Sequence, residues 1–204
     1  GYAEYIQKAP VSEEELLECT QFIMSECSRL QNMAYQLLDM ALLKGEEANY
    51  QDFFAASLFE QSEKIMHVRS LEKNINLSYS TLENFLMRGN REQLLILLNN
   101  LIDNALKASS PEGDVEVSVY GEGQGIVMEV RDYGMGMEPE HISHIKEAFY
   151  RVDKSRSRAG GGTGLGLAIC ERIAQLHHAK LTFVSERGKG TIVRLQIPHI
   201  TGST

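Results

Sequence analysis

Between Leu16 and Ala41, the residues Leu16, Thr20, Ile23, Cys27, Leu30, Ala34, Leu37 and Ala41 recur at alternating spacings of four and three. That rhythm is a heptad-like helical seam, and Leu17, Met24, Met33, Leu38 and Met40 widen its apolar face. Several seam residues are small, which suits a close-packed bundle. A helix greasy over so wide a face cannot stand alone in water; it needs a preceding helix, a second copy of the chain, or both. Ser12 and Glu15 form a capping box that opens it. Residues 1–9 have the character of the tail of an earlier helix. Pro10 ends that tail, because proline lacks an N–H and disfavours helix at the residue before it. Gly45 closes the seam helix and residues 46–51 form a short polar linker, so residues 1–45 are expected to be one unit and 46–204 another.

The 204 residues allow one domain with a smaller appendage, at roughly 100–200 residues per domain. Hydrophobic residues at 43% and charged residues at 24% fit a soluble globular chain and exclude disordered, collagen-like and disulfide-scaffold classes. The net charge of −8 argues against wholesale nucleic-acid binding, which draws on a basic stripe. No run reaches about 18 uninterrupted apolar residues, and no basic-then-apolar leader opens the chain. Cys19, Cys27 and Cys170 lack metal-ligand spacing and are expected to be reduced thiols in the interior.

Past the linker the pattern becomes mixed. A short strand precedes a helix over Phe53–Met66, Leu71–Leu77 and Phe85–Met87 suit strands, and Asn90 with Gln93 caps a long helix ending near Ala108. Val115, Val117 and Val119 alternate, as do Ile126, Met128 and Val130, around a glycine-rich turn, which predicts a hairpin. Residues 134–163 have little period and are expected to be a long mobile loop, of the kind that serves as a lid or binding segment. Gly164–Leu176 is helical, and Leu181–Phe183 and Ile192–Ile197 make a closing hairpin. The result is an α+β fold, a two-layer sandwich with a mixed sheet packed on helices, preceded by a partial helical hairpin.

Three segments carry chemistry. Asn100, Asn104 and Lys107 share one face of the long helix, beside the apolar stripe of Leu94, Leu97, Leu98, Leu101 and Ala105. Two amides and a lysine there suit a phosphate with its metal ion, although a solvated polar face explains this helix alone equally well. Asp132-Tyr133-Gly134-Met135-Gly136 follows a strand; the carboxylate can accept from an exocyclic amine, and the glycines let backbone approach a flat ring. Taken alone, such a segment is more often a plain turn. Gly160 to Leu167 runs glycine-rich into a helix, where backbone N–H groups can face an anion. A dinucleotide-binding motif fails here because loop, not strand, precedes the glycines. Gly188-Lys189-Gly190-Thr191 fails as a P-loop because Gly190 stands where Ser or Thr should follow the lysine.

The order of these pieces, with Phe149-Tyr150-Arg151-Val152-Asp153 between the second and third and Gly188-x-Gly190-Thr191 last, resembles the ATP-binding domain of sensor histidine kinases in the GHKL superfamily. Gly1-Tyr2-Ala3-Glu4 is similar to the stretch after that family's phosphoacceptor motif, and residues 12–44 to the second helix of its dimerisation hairpin. The resemblance implies the Bergerat fold, with Mg²⁺ and ATP as cofactors. It implies that Asn104 ligands the metal, Asn100 assists and Lys107 meets phosphate oxygens. By the same resemblance Asp132 accepts from adenine, Gly134 and Gly136 shape the base pocket, and Thr191 closes it. Tyr150 and Arg151 belong to the nucleotide site, with Arg151 reaching the γ-phosphate, and Gly162, Thr163, Gly164, Leu165 and Gly166 wrap the triphosphate. Asn100, Lys107 and Arg151 are the catalytic candidates. Ala108 departs from the aromatic many relatives carry, so no stacking is expected from it.

Superfamily ATPases place a glutamate where Asn100 stands, as general base for water. An amide cannot take that proton, which favours transfer to a histidine over hydrolysis. The acceptor histidine is expected upstream of Gly1, since none of the six histidines lies in the family's acceptor context. The fragment should therefore bind nucleotide without phosphorylating itself. His141 and His144 are expected to be surface residues of the loop, not a metal site. The resemblance further implies a response-regulator receiver domain as partner, a homodimer in the intact protein, and a cytosolic placement with membrane anchoring only through segments absent from this chain. The alternatives are a nucleotide-gated interaction module and an ATPase.

Overall fold

The computed structural model describes residues 1–8, 10–42, 49–81, 83–123, 125–152 and 163–198. Helices α1 (Tyr2–Lys8) and α2 (Glu13–Leu42) form a hairpin, with the Tyr2 and Phe22 rings 4.5 Å apart. The Ser12–Glu15 capping box is formed reciprocally: Ser12 N–H donates to Glu15 Oε2 at 2.8 Å, and Glu15 N–H donates to Ser12 Oγ at 3.2 Å. The heptad seam itself faces out. Leu16, Cys27, Leu30 and Leu37 are exposed, while Cys19 is buried and Met33 and Met40 pack on the core. Cys27 thus corrects the expectation of three interior thiols, because it lies on that seam; all three are free.

Strand β1 (Gln51–Phe54) leads into α3 (Ala55–Glu72), and β2 (Asn76–Thr81) follows. The strand expected over Leu71–Leu77 is therefore the end of a helix and the start of a strand. Asn74, at φ 52°, makes the reversal: its N–H donates to Leu71 O at 3.0 Å and Ile75 N–H donates to Ser70 O at 2.9 Å, a Schellman stop. Strand β3 (Leu86–Gly89) pairs antiparallel with β1 and precedes α4 (Arg91–Ala108). Strands β4 (Asp114–Glu122) and β5 (Gly125–Asp132) form the expected hairpin. A single helical turn, α5 (Pro139–Ile142), interrupts the expected loop, and α6 (Gly166–Leu176), β6 (Lys180–Glu186) and β7 (Gly190–Pro198) complete the chain.

The main sheet runs β2-β4-β5-β7-β6, with β2 and β4 parallel and every other pair antiparallel. Alternation puts Val115, Val117 and Val119 of β4, Met128 and Val130 of β5, and Leu195 of β7 on one face. Leu94, Leu97, Leu98, Leu101 and Ile102 of α4, with Ile169 and Ile173 of α6, cover that face in one continuous core. Among the described residues, no helix is long and apolar enough to cross a membrane.

Candidate functional site: a cleft between α4, α6 and the β5–α5 loop

Helix α4 is placed by its cap. The Asn90 side chain accepts from Glu92 and Gln93 N–H, both at 3.1 Å. The other half of the expected capping arrangement is not made by Gln93, whose Oε1 is buried without a partner. Instead the Asn90 N–H donates to His177 Nε2 at 3.0 Å, fastening the start of α4 to the end of α6. One helical turn apart on α4, Asn100 and Asn104 then line a cleft of about 990 Å³ together with Lys107.

Gly166 opens α6 against the same wall. A Cβ there would lie 2.9 Å from Asn100 Oδ1, so only glycine lets the two segments approach without displacing the amide. The Asn100 Nδ2 donates to Ile96 O at 2.9 Å, which holds the amide in place and leaves Oδ1 toward Gly166. Gly164 stands at φ 75°, accepting from Phe149 N–H at 2.8 Å, and Leu165 N–H donates to Thr163 Oγ1 at 3.2 Å. Thr163, Gly164 and Gly166 line the cleft; Leu165 is buried in the core instead. Gly160, Gly161 and Gly162 lie outside the described residues.

Asp132 ends β5 and is 6% exposed, so it sits behind the cleft wall and not on it. Its Oδ1 accepts from Gly134 N–H at 2.9 Å, and Thr191, its register partner on β7, supplies a second backbone N–H. Burial pushes this carboxyl above the usual aspartate range, and the two N–H donors partly oppose the shift. Gly134 passes so close to the Ala108 carbonyl that any side chain would overlap it, which ties the Asp-x-Gly-x-Gly turn to the end of α4. Gly136, at φ 60°, reaches the cleft; Gly134 and Thr191 do not. Thr191 Oγ1 bonds Ser185 Oγ at 2.9 Å, and Ser185 Oγ in turn accepts from Met137 N–H at 2.9 Å.

Tyr150 and Arg151 line the far side. The Arg151 Nη2 is buried with no partner among the described residues. Lys107 Nζ is held by Asp103 Oδ2 at 2.6 Å, and Arg69 Nη1 takes the other oxygen of Asp103 at 3.1 Å. A triphosphate fits this donor set: a guanidinium with one buried nitrogen unpartnered among the described residues, a lysine and a cradle that a Cβ would fill. Among the described residues no cluster of three His, Cys, Asp or Glu could hold a metal.

Sequence reasoning missed several of these residues. Asn32 and Gln36 of α2 line the cleft, and Thr163 Oγ1 donates to Gln36 Oε1 across 127 positions of chain, a contact no local pattern signals. His141, expected on the surface, lines the cleft and bonds Tyr150, whereas His144 is exposed and bonds Glu147. Their i, i+3 spacing was the available signal, pointing to a shared helical face.

Comparison with known proteins follows the same outline. The sensor histidine kinase YkoH of Bacillus subtilis is 33% identical over 99% of this chain, which spans 44% of that relative's length. The structure of Acinetobacter baumannii histidine kinase AdeS covers 98% of this chain, and 93% of its own, at a TM-score of 0.75 and 18% identity. That of histidine kinase ThkA in complex with response regulator protein TrrA covers 97% of this chain and 56% of its own, at a TM-score of 0.77 and 20% identity. These two show a shared fold. The model for "Histidine kinase-, DNA gyrase B-, and HSP90-like ATPase" matches residues 89–201, more than half of the sequence and the cleft lining from Ile96 onward. The chain belongs to that ATPase family.

Proposed function

We propose that this chain is the ATP-binding catalytic region of a sensor histidine kinase, with residues 1–45 part of a dimerisation hairpin and 46–204 the catalytic domain. The observation that carries the reading is convergence. Asn100 and Asn104 from α4, Gly164 and Gly166 before and in α6, and Arg151 surround one cleft, and Asp132 holds the turn that carries Gly136 to its rim by accepting from Gly134 N–H. Asn104 would ligand magnesium, which when bound neutralises phosphate charge. Lys107 and Arg151 would meet the phosphate oxygens, and Thr163 to Gly166 would present backbone donors. Gly134, Gly136 and Thr191 would frame the base at Asp132. Phosphoryl transfer asks for such positioning and neutralisation more than for covalent work by the protein.

Transfer is favoured over hydrolysis by the cleft's acids. Asn100 is an amide, and the carboxylates that line the cleft among the described residues, Asp103 and Glu138, are both ion-paired, to Lys107 and Arg69 and to Arg187. None is placed as a free base for water. We assign the acceptor to a histidine upstream of Gly1, the next acceptor to an aspartate of a response-regulator receiver domain, and membrane anchoring to segments outside these residues. Homodimerisation in the intact protein would cover the exposed α2 seam. Two measurements test this. Titration calorimetry with Mg–ATP should show binding in the micromolar range, strongly weakened by Asn104→Asp. A longer chain restoring the upstream segment should acquire acid-labile, alkali-stable phosphate. Steady phosphate release without such a product would support an ATPase instead.

A further inference from the structure

Beside the cleft, α5 is one turn long and begins at Pro139. It is anchored on both sides: Met137 N–H donates to Ser185 Oγ on β6, and Ile145, whose N–H donates to His141 O at 3.0 Å, is buried. The chain then reaches Phe149, whose φ of 67° is an uncommon conformation for a bulky residue. The Phe149 ring is left exposed while the next two side chains, Tyr150 and Arg151, turn into the cleft. Backbone strain is thus spent to aim Tyr150 inward.

What holds the Tyr150 ring there is specific. Its hydroxyl lies 2.8 Å from His141 Nδ1, with the ring centroids 6.2 Å apart at 52°. His144, whose ring centroid lies 5.5 Å from the Tyr150 ring, is occupied by Glu147 at 2.7 Å and does not reach the hydroxyl. An imidazole can give or take this hydrogen bond, since neutral Nδ1 accepts from the phenol and a protonated one donates to it. The link therefore does not depend on the charge of His141.

We propose that His141 is a positioning residue of the nucleotide site: it fixes the Tyr150 ring as part of the cleft wall beside Arg151, against which the bound nucleotide packs. The proposal rests on the nucleotide-binding reading above. The test is calorimetry with Mg–ADP on the wild-type chain, His141→Ala, Tyr150→Phe, the double variant and His141→Asn, with Asp132→Asn as reference. His141→Ala is expected to lower affinity about fivefold, the size of one net hydrogen bond. Tyr150→Phe should do the same, and the double variant should be no worse than either single change, because both break one link. His141→Asn should recover most of the affinity, as its amide ends at the position of Nδ1, with thermal midpoints alike throughout. The proposal is overturned if His141→Ala binds as wild type while Asp132→Asn loses binding, or if the two single losses multiply in the double variant. If the wild-type chain takes up no Mg–ADP, the nucleotide reading falls first and this proposal with it.

Discussion

His177 offers the sharpest test of how the cleft is held together. It caps α6 and is 2% exposed. Its Nδ1 donates to Ile173 O at 2.8 Å, so the unprotonated Nε2 is the acceptor for Asn90 N–H at 3.0 Å. Its ring stacks on Tyr50 at 5.3 Å, and the Tyr50 hydroxyl donates to Leu176 O. His177→Ala removes a buried ring, comparable to aromatic truncations that cost about 3–5 kcal/mol. It also strips Asn90 N–H of its acceptor, a penalty of about 1–3 kcal/mol that partly overlaps the first. A total near 4 kcal/mol is a large part of the roughly 5–15 kcal/mol typical of a domain. Urea unfolding followed by circular dichroism should show the midpoint falling with m unchanged. Acidity supplies a second readout. Burial holds this imidazole below the ordinary histidine pKa, so below about 6.5 the unfolded chain binds a proton that the folded one refuses. Stability contributed by His177 is therefore complete above that pH and is lost as pH falls toward the lowered folded value. His177→Ala should lack that acid-side loss. A cost below about 1 kcal/mol, or an acid dependence identical to wild type, refutes the bridge.

Gly166→Ala should leave the fold intact yet weaken Mg–ATP binding about tenfold or more, because its Cβ would press on Asn100 Oδ1 at 2.9 Å; thermal melting beside calorimetry separates the two effects. Asp132→Asn should all but abolish nucleotide binding while making the free chain more stable at neutral pH. The folded carboxyl holds its proton to higher pH than the unfolded one, so ionisation above that range costs stability that the amide does not pay; equal or lower stability of the variant in neutral-pH urea melts would contradict this. Gly136→Ala should be severely destabilising, since at φ 60° its Cβ would overlap the Glu186 carbonyl, and loss of the cooperative unfolding transition reports it.

Local pattern made the helices and hairpins legible, since α4, the β4–β5 hairpin and the Ser12 cap rest on periodicity and near neighbours. It misplaced the end of α3, because Leu71, Ile75 and Leu77 suit a strand as well as a helix end, and Asn74 alone carries the stop. Of the residues the motifs singled out, Asn100, Asn104, Arg151 and Gly166 line one cleft. They could not show that Asp132 lies behind the wall, which depends on packing; the Asp103–Lys107 pair, four apart on α4, is by contrast a local pattern open to the sequence. The His177–Asn90 bond spans 87 positions and the Gln36–Thr163 bond 127, separations at which one sequence carries no pairing information. The α2 seam was legible as a helix, but its outward orientation depends on which face α6 takes.

The most direct test is a crystal structure of this chain with magnesium and a nonhydrolysable ATP analogue. The triphosphate is predicted between Asn104 and Gly164–Gly166, with the metal on the Asn104 amide oxygen and the adenine amine directed at Asp132. An analogue bound elsewhere, or in the cleft with its base at the Arg151 end and its phosphates toward Asp132, would contradict the account.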